Sequence, residues 1–182
     1  MKNVKFQSIA KGNWKAAYAI LSQDLELVRD SLKDPTVDHQ GKVFDYIGPY
    51  WSDESGCRNW VSPFEVACEF GQLDSAKLLA NEYGIDVSAH DNTALIRACR
   101  QGFVDIVKYI TSHPDFNSVN CAKAFIESKG NVDVVRLLLS EPRVNPADQN
   151  NWAIITAARY ENAEIVKLLM SDPRVNPADQ GN

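Results

Sequence analysis

The chain has 182 residues, of which 45% are hydrophobic and 24% are charged, and its formal net charge is −5. These values are typical of one folded domain and exclude a chain too polar to build a core. The negative charge argues against nucleic acid and anionic membranes as partners, because both attract positive charge. No apolar run is long enough to cross a bilayer, and polar residues from Lys11 to Lys15 interrupt any signal-peptide core. We therefore expect a cytoplasmic protein, located in the host cytosol if it is a secreted effector or a viral protein.

One helical pattern recurs along the chain. The clearest pair is Val132–Asp148 and Ala163–Asp179, which match at an offset of 31 residues. Related segments begin at Leu25, Leu73 and Val104. A shorter apolar segment precedes each copy, and both segments have apolar residues at helical spacing. Each unit is too small to bury its own apolar face, so the sequence predicts helix–turn–helix–loop units that stack on one another.

The second of these units resembles the ankyrin repeat. Its residues Ser62–Leu79 read S-P-F-E-V-A-C-E-F-G-Q-L-D-S-A-K-L-L, similar to the family signature T-P-L-H-x-A-A-x-x-G-H-L-E-x-V-K-L-L. The last two units depart from the family by placing Pro-Arg-Val-Asn-Pro in the loop where Gly-Ala-Asp-Val-Asn is usual. The resemblance implies an all-α, ankyrin-like helix–turn–helix repeat solenoid that forms one domain over residues 1–182. Its repeats are expected at about 6–38, 61–90, 91–118, 119–148 and 149–179, with a long aromatic loop insertion at 39–60.

The insertion at 39–60 interrupts the rhythm of the repeats. It is rich in turn-forming residues and in aromatic residues: Phe44, Tyr46, Tyr50, Trp51 and Trp60. Long loops in compact domains are usually functional or disordered, and the aromatic content argues against disorder. We therefore expect this loop to take part in binding.

Residues that would support catalysis, a metal or a cofactor are scarce. The four cysteines form no C-x-x-C pair, and Cys68 and Cys99 occupy equivalent Ala-Cys positions of two first helices. Such residues are typical of buried packing positions. The three histidines are scattered, and Ser8 and Lys11 spell S-x-x-K without the companion motifs of that enzyme class. The sequence predicts no catalytic, metal or cofactor-binding residue, and a protein that is not an enzyme.

The second helices carry a regular charge pattern. Each has an acid three residues before a base: Glu26/Arg29, Asp74/Lys77, Asp105/Lys108, Asp133/Arg136 and Glu164/Lys167. Residues at this spacing are neighbours on a helix face, and such a pair contributes about 0.2–0.5 kcal/mol. We expect a solvent-exposed ladder of ion pairs, because a charged binding column would not alternate in sign.

The ankyrin resemblance implies a concave binding face, formed by variable positions near the ends of the first helices and by the loop tips between repeats. Arginine and tyrosine are frequent among the residues that dominate protein interfaces. Any one of these side chains is more readily an ordinary solvated residue, so the prediction concerns the set. With the insertion, the candidate partner-binding residues are Tyr46, Tyr50, Trp51, Trp60, Phe70, His90, Asp91, Arg97, Arg100, Gln101, Asn150, Asn151, Arg159 and Tyr160.

The leading functional hypothesis is a non-catalytic scaffold that binds a protein partner through the concave face and the 39–60 loop. An alternative is a segment that recruits substrates for a larger enzyme or effector whose catalytic domain lies outside this chain. A third hypothesis is a small-molecule pocket formed by the insertion. The last helix, Ile165–Met170, is as apolar as the internal ones, although a repeat array normally ends in a polar face. End-to-end self-contact through this repeat is therefore a further expectation.

Overall fold

The computed structural model describes residues 11–33, 44–45 and 60–176. Within these residues the helices are α1 (Lys11–Ser22), α2 (Leu25–Leu32), α3 (Pro63–Glu69), α4 (Leu73–Tyr83), α5 (Ala89–Gln101), α6 (Val104–Ser112), α7 (Cys121–Glu127), α8 (Val132–Ser140), α9 (Asp148–Arg159) and α10 (Ala163–Met170). Two helices fall within each predicted repeat, and the predicted all-α ankyrin-repeat fold class is confirmed. The chain divides into two compact units, Met1–Ala67 with Gln72–Ile85 and Cys68–Gly71 with Asp86–Asn182. The single-domain assignment and the exact repeat bounds stay predictions.

The first unit is built on the packing of α1 against α2 and of α2 against α4. Asp24 begins α2, because its carboxylate accepts a hydrogen bond from the Leu27 N–H and so satisfies one of the free donors at the helix start. Arg29 on α2 reaches Glu82 on α4 through two hydrogen bonds, of 2.8 and 3.2 Å. Buried apolar side chains such as Ile20, Val28 and Leu79 form the core of this unit.

A short strand pair joins the two ends of the insertion within the first unit. Strand β1 (Phe44–Asp45) pairs antiparallel with β2 (Trp60–Val61), so that Phe44 lies opposite Val61 and Asp45 opposite Trp60. The sequence predicted a long loop here and left its conformation open. The residues between the two strands lie outside the described part of the chain.

The second unit stacks three helix pairs. Its first helices pack in the order α5, α7, α9, its second helices pack in the order α6, α8, α10, and α5 also packs on α6 and α9 on α10. The core between them consists of the side chains that helical spacing predicts to be buried, including Leu95, Ile106, Phe125, Leu138 and Leu169.

The Pro-Arg-Val-Asn-Pro loops of the last two repeats have a structural role in this unit. Arg143 donates hydrogen bonds to the backbone carbonyls of Thr111, at the end of α6, and of Phe116. Arg174 donates a 2.8 Å hydrogen bond to the carbonyl of Leu139, at the end of α8. The last carbonyls of a helix lack partners within the helix, and a cation is favourable there. Each arginine therefore caps the second helix of the preceding repeat.

Four of the five predicted acid–base pairs on the second helices do not form. Glu26 and Arg29 are in contact at 2.9 Å. The others, Asp74/Lys77, Asp105/Lys108, Asp133/Arg136 and Glu164/Lys167, are not among the ion pairs of the described residues, so the predicted ladder is wrong for them. Their side chains are exposed, where solvation competes with a pairing that stabilises little.

Candidate functional site

The C-terminal ends of the first helices expose several of the predicted binding residues. Phe70 follows α3 and is 39% exposed, Gln101 ends α5 and is exposed, and Arg159 and Tyr160 lie at the end of α9. Tyr160 is 73% exposed, the highest value among the exposed large hydrophobic residues of the described chain. We call the exposed residues at these ends the helix-end surface; they are Phe70, Gln101, Lys129, Arg159 and Tyr160.

Ion pairs connect neighbouring first helices beside this surface. Arg97 of α5 pairs with Glu69 of α3, and the exposed fractions of their side chains are 10% and 11%. Arg100 of α5 pairs with Glu127 of α7, with 2.8 Å between Arg100 Nε and the carboxylate. Both arginines were predicted to contact a partner. Arg97 is buried instead, because its guanidinium pairs with Glu69 of the preceding repeat. We therefore omit Arg97 from the proposed surface.

The loop tips before α5 and α9 adopt an unusual backbone. His90, Asp91 and Asn92 have φ of 52°, 57° and 61°, and the three equivalent residues 149–151 have φ of 53°, 58° and 60°. Residues other than glycine rarely adopt this left-handed conformation, and Asn and Asp tolerate it best. Helical geometry at each tip therefore begins only after the third of these residues.

The asparagines at these tips form hydrogen bonds with the backbone of the next loop. The Asn92 side-chain amide donates to the backbone carbonyls of Asn117 and Val119, and the Asn151 amide donates to the carbonyl of Asn176 at 2.9 Å. Both asparagines are buried. Asn151 was predicted to contact a partner, but its amide is engaged inside the protein, so we omit it as well.

The remaining loop-tip candidates lie apart from the helix-end surface. His90, Asp91 and Asn150 are exposed at the N-terminal ends of the same first helices whose C-terminal ends carry that surface. A helix rises about 1.5 Å per residue, so about nine residues of α5 separate the two groups by roughly 14 Å. The structure thus divides the predicted set into two groups of exposed residues.

The candidates in the insertion are described in part. Tyr46, Tyr50 and Trp51 lie outside the described residues. Trp60 forms part of β2, where its backbone is described.

A cleft opens beside Tyr160 in the second unit, with a volume of about 430 Å³. Its walls are the end of α7, the end of α9 and the beginning of α10, and the lining residues are Phe125, Ile126, Glu127, Lys129, Ala157, Tyr160, Asn162 and Ile165. Of these residues, Tyr160 was among the predicted partner-binding residues, and Lys129 occupies an equivalent variable position at the end of a first helix. The sequence signal for the apolar lining residues is helical core spacing and that for Asn162 is an asparagine at a helix start, and neither signal indicates a cleft.

The buried thiols of the second unit are poorly suited to nucleophilic chemistry. Burial raises the pKa of the Cys99 thiol, and it raises the pKa of Cys121 to about 12. Thiols with such pKa values are protonated near neutral pH and are weak nucleophiles.

Within the described ranges, no three histidine, cysteine or acidic side chains come together as metal ligands. None of the described helices combines the length and the hydropathy that crossing a membrane requires.

Helix–turn–helix units stacked as in the second unit define a helical-repeat protein. Comparison with protein families agrees, since the family described as ankyrin repeats (3 copies) matches residues 16–121, more than half of the chain. The chain therefore belongs to the ankyrin-repeat family, whose repeats generally mediate interactions between proteins. A search of curated proteins gave no match to the chain.

Proposed function

We propose that the chain is a non-catalytic scaffold that binds a protein partner through the helix-end surface, which forms part of the concave face predicted from the sequence. The observation that carries this proposal is Tyr160, a large aromatic side chain that is 73% exposed beside a cleft. Tyrosine and arginine are enriched among the residues that dominate protein interfaces, and Arg159 is adjacent and exposed. The loop-tip residues His90, Asp91 and Asn150 form a second group that a large partner contacts at the other end of the same helices.

The ion pairs beside the helix-end surface support binding without a conformational change in the protein. Arg97–Glu69 and Arg100–Glu127 each tie one first helix to the next, close to the exposed residues. A surface that is already ordered loses less conformational entropy on binding, which leaves more of the contact energy as affinity.

The insertion is the second binding element in this proposal. Its aromatic residues Tyr46, Tyr50, Trp51 and Trp60 offer large apolar area with few rotatable bonds, as interface anchors commonly do. We infer that they contact the same partner or a second one.

Quantitative affinity purification from the native cell tests the proposal. The variant Arg159→Ala/Tyr160→Ala should lose a protein that the unaltered chain recovers, and Trp51→Ala should weaken its recovery. Lys108→Ala/Lys167→Ala is the matched control, because both lysines are exposed on second helices and lack an ion-pair partner among the described residues. Recovery of the same proteins by all variants would contradict the proposed surface.

The same surface serves the alternative function, in which the repeats recruit substrates for the catalytic domain of a larger enzyme or effector. The two functions differ in the fate of the recovered protein. Under the alternative, the partner is chemically modified in cells that contain the full-length gene product and unmodified when Arg159 and Tyr160 are replaced. A partner that is bound and never modified supports the scaffold.

We further propose self-contact through the last repeat. Ile155 and Met170 are 46% and 60% exposed, whereas the equivalent Ile96 and Thr111 of the third repeat are 6% and 2% exposed. An exposed face made of interior-type positions favours association. Sedimentation equilibrium should show a concentration-dependent dimer that Ile155→Glu/Met170→Glu abolishes and Lys167→Glu retains. A monomer at all concentrations contradicts this contact.

The cytoplasmic location, or the host cytosol for a secreted effector or viral protein, is also a proposal. It is supported by Cys99 and Cys121, which are free and buried. Free cysteines are common in reducing compartments. Fractionation of cells with an antibody against the chain tests the location.

A further inference from the structure

The cleft beside Tyr160 has features that select one kind of occupant. Its floor is apolar, since Phe125, Ala157 and Ile165 are buried side chains that line it. Its volume of about 430 Å³ lies in the range of roughly 300–1,000 Å³ that is typical of binding pockets. The floor therefore suits an apolar side chain that enters from a partner.

The charge presented inside the cleft is positive. Glu127 is the one acid among the lining residues, and its carboxylate is bound by Arg100 at 2.8 Å. Lys129 also lines the cleft; it is exposed and has no ion-pair partner among the described residues. Lys129 is therefore the charge that an occupant meets, and it favours an anion.

Asn162 also lines the cleft and carries a side-chain hydrogen-bond donor. Asn162 uses its Oδ1 to accept the Ile165 N–H, which leaves its Nδ2 hydrogens for other partners. That Nδ2 atom lies 3.0 Å from where a Cβ on Gly130 would stand, beside Lys129 in the chain. A carboxylate accepts hydrogen bonds from both an ammonium and an amide, and such charge-assisted bonds are among the strongest in proteins.

We propose that the cleft binds a peptide segment of a protein partner in which an apolar residue lies next to a single acidic residue. The apolar side chain packs against the apolar lining of the cleft beside Tyr160, and the carboxylate binds Lys129 and the Asn162 amide. Exposed Glu161 and Glu164 flank Asn162 in the chain and do not line the cleft, so they disfavour a run of several acids. This inference rests on the proposed function, because it defines the chemistry of a partner for the helix-end surface.

Selection from a phage library of random dodecapeptides on the full chain tests the inference without a known partner. The enriched peptides should share an apolar residue beside one Asp or Glu. Fluorescein-labelled copies are then titrated by fluorescence anisotropy. Changing the acid to its amide should weaken binding about tenfold, and Lys129→Gln should weaken the unmodified peptide by a similar factor. The two changes together should weaken it little further, because they remove one shared interaction.

Lys123→Gln is the matched control. Lys123 is exposed on α7, close to Lys129 in the chain, but does not line the cleft, so its removal should leave the affinity unchanged. Circular dichroism melting of both variants checks that they fold alike.

Three results would overturn the inference: no enriched peptide, enriched peptides without an acid, or binding that is insensitive to Lys129→Gln. Peptides that lose affinity with Phe70→Ser or Gln101→Ala and keep it with Lys129→Gln would refute the cleft alone and leave the proposed function standing. Peptides that are insensitive to all three changes contradict both.

Discussion

Gly102, which ends α5, lies directly against the side-chain amide of Asn131, which begins α8. A Cβ placed on Gly102 would come within 2.5 Å of Asn131 Nδ2. Asn131 is held there because its Oδ1 accepts the Val134 N–H at 3.1 Å and so caps the start of α8. The turn of one repeat and the helix start of the next thus fit only when the turn residue has no side chain.

We predict that Gly102→Ala destabilises the protein for two reasons. Gly102 has φ of 78°, where alanine costs about 1–2 kcal/mol. The added Cβ also displaces the Asn131 cap, at a further cost of about 1 kcal/mol. The free energy of unfolding, measured with urea, should fall by the sum of both.

Gly84→Ala is the control for this prediction. Gly84 also has a positive φ, of 62°, but no atom of the described residues lies within 4 Å of a Cβ added there. Gly84→Ala should therefore lower the free energy of unfolding only by the cost of placing alanine at a positive φ. Equal losses of stability in the two variants would show that the Asn131 contact contributes nothing.

The buried pair of Arg97 and Glu69 leads to a second prediction. Arg97→Met leaves a nearly buried carboxylate without its cation and should cost about 3 kcal/mol of unfolding free energy. Arg97→Met combined with Glu69→Leu removes both charges and should restore most of that loss. Arg100→Met, which breaks the more exposed pair with Glu127, should cost less, about 1 kcal/mol. A double variant no more stable than Arg97→Met would contradict this account.

The third prediction concerns Arg143, which caps the C-terminal end of α6 from the loop of the next repeat. Its guanidinium donates to three carbonyls, those of Thr111, His113 and Phe116, and stacks over the Phe116 ring with 5.1 Å to the ring centroid. Arg143→Met should lower the unfolding free energy by about 1–3 kcal/mol, since hydrogen bonds from a charged group are lost.

Arg136→Met provides the comparison for Arg143. Arg136 is exposed on α8 and forms no ion pair among the described residues, so its replacement should change stability by less than about 0.5 kcal/mol. A similar loss of unfolding free energy in both variants would contradict the capping role of Arg143.

A fourth prediction concerns alkaline pH. The pKa of Cys121 is raised from 9.0 to about 12 in the folded protein, because burial disfavours the thiolate, and burial likewise raises that of Cys99. Between the two pKa values the folded state keeps a proton that the unfolded state has lost. Stability is therefore fully present below pH 9 and decreases as pH rises above it, by up to about 1.4 kcal/mol per pH unit for each thiol.

Urea unfolding of the unaltered chain and of Cys99→Ala/Cys121→Ala at pH 8 to 10.5 checks this dependence. The variant is less stable at pH 8, but its stability should decline less steeply with pH. Parallel curves would mean that neither thiol retains its proton in the folded state.

Much of the fold was predictable because each repeat has the same short-range spacing of apolar residues. Apolar residues at helical spacing predicted the two helices of each repeat, and the apolar positions of α6, α8 and α10 are largely buried. The candidate site was predicted less well. Arg97 has the sequence context of an exposed arginine, and its burial depends on Glu69, which is 28 residues away.

The sequence by itself determined the ankyrin-type repeat, because each unit carries the same short-range pattern and no single unit can bury its apolar face alone. The tertiary structure decided how neighbouring repeats meet. It placed Asn131 against Gly102, bound Glu127 to Arg100 and brought Lys129 to the lining of the cleft beside Tyr160. These contacts join residues about one repeat apart through side-chain geometry, and neither helical periodicity nor composition encodes the direction in which a side chain points across a repeat boundary.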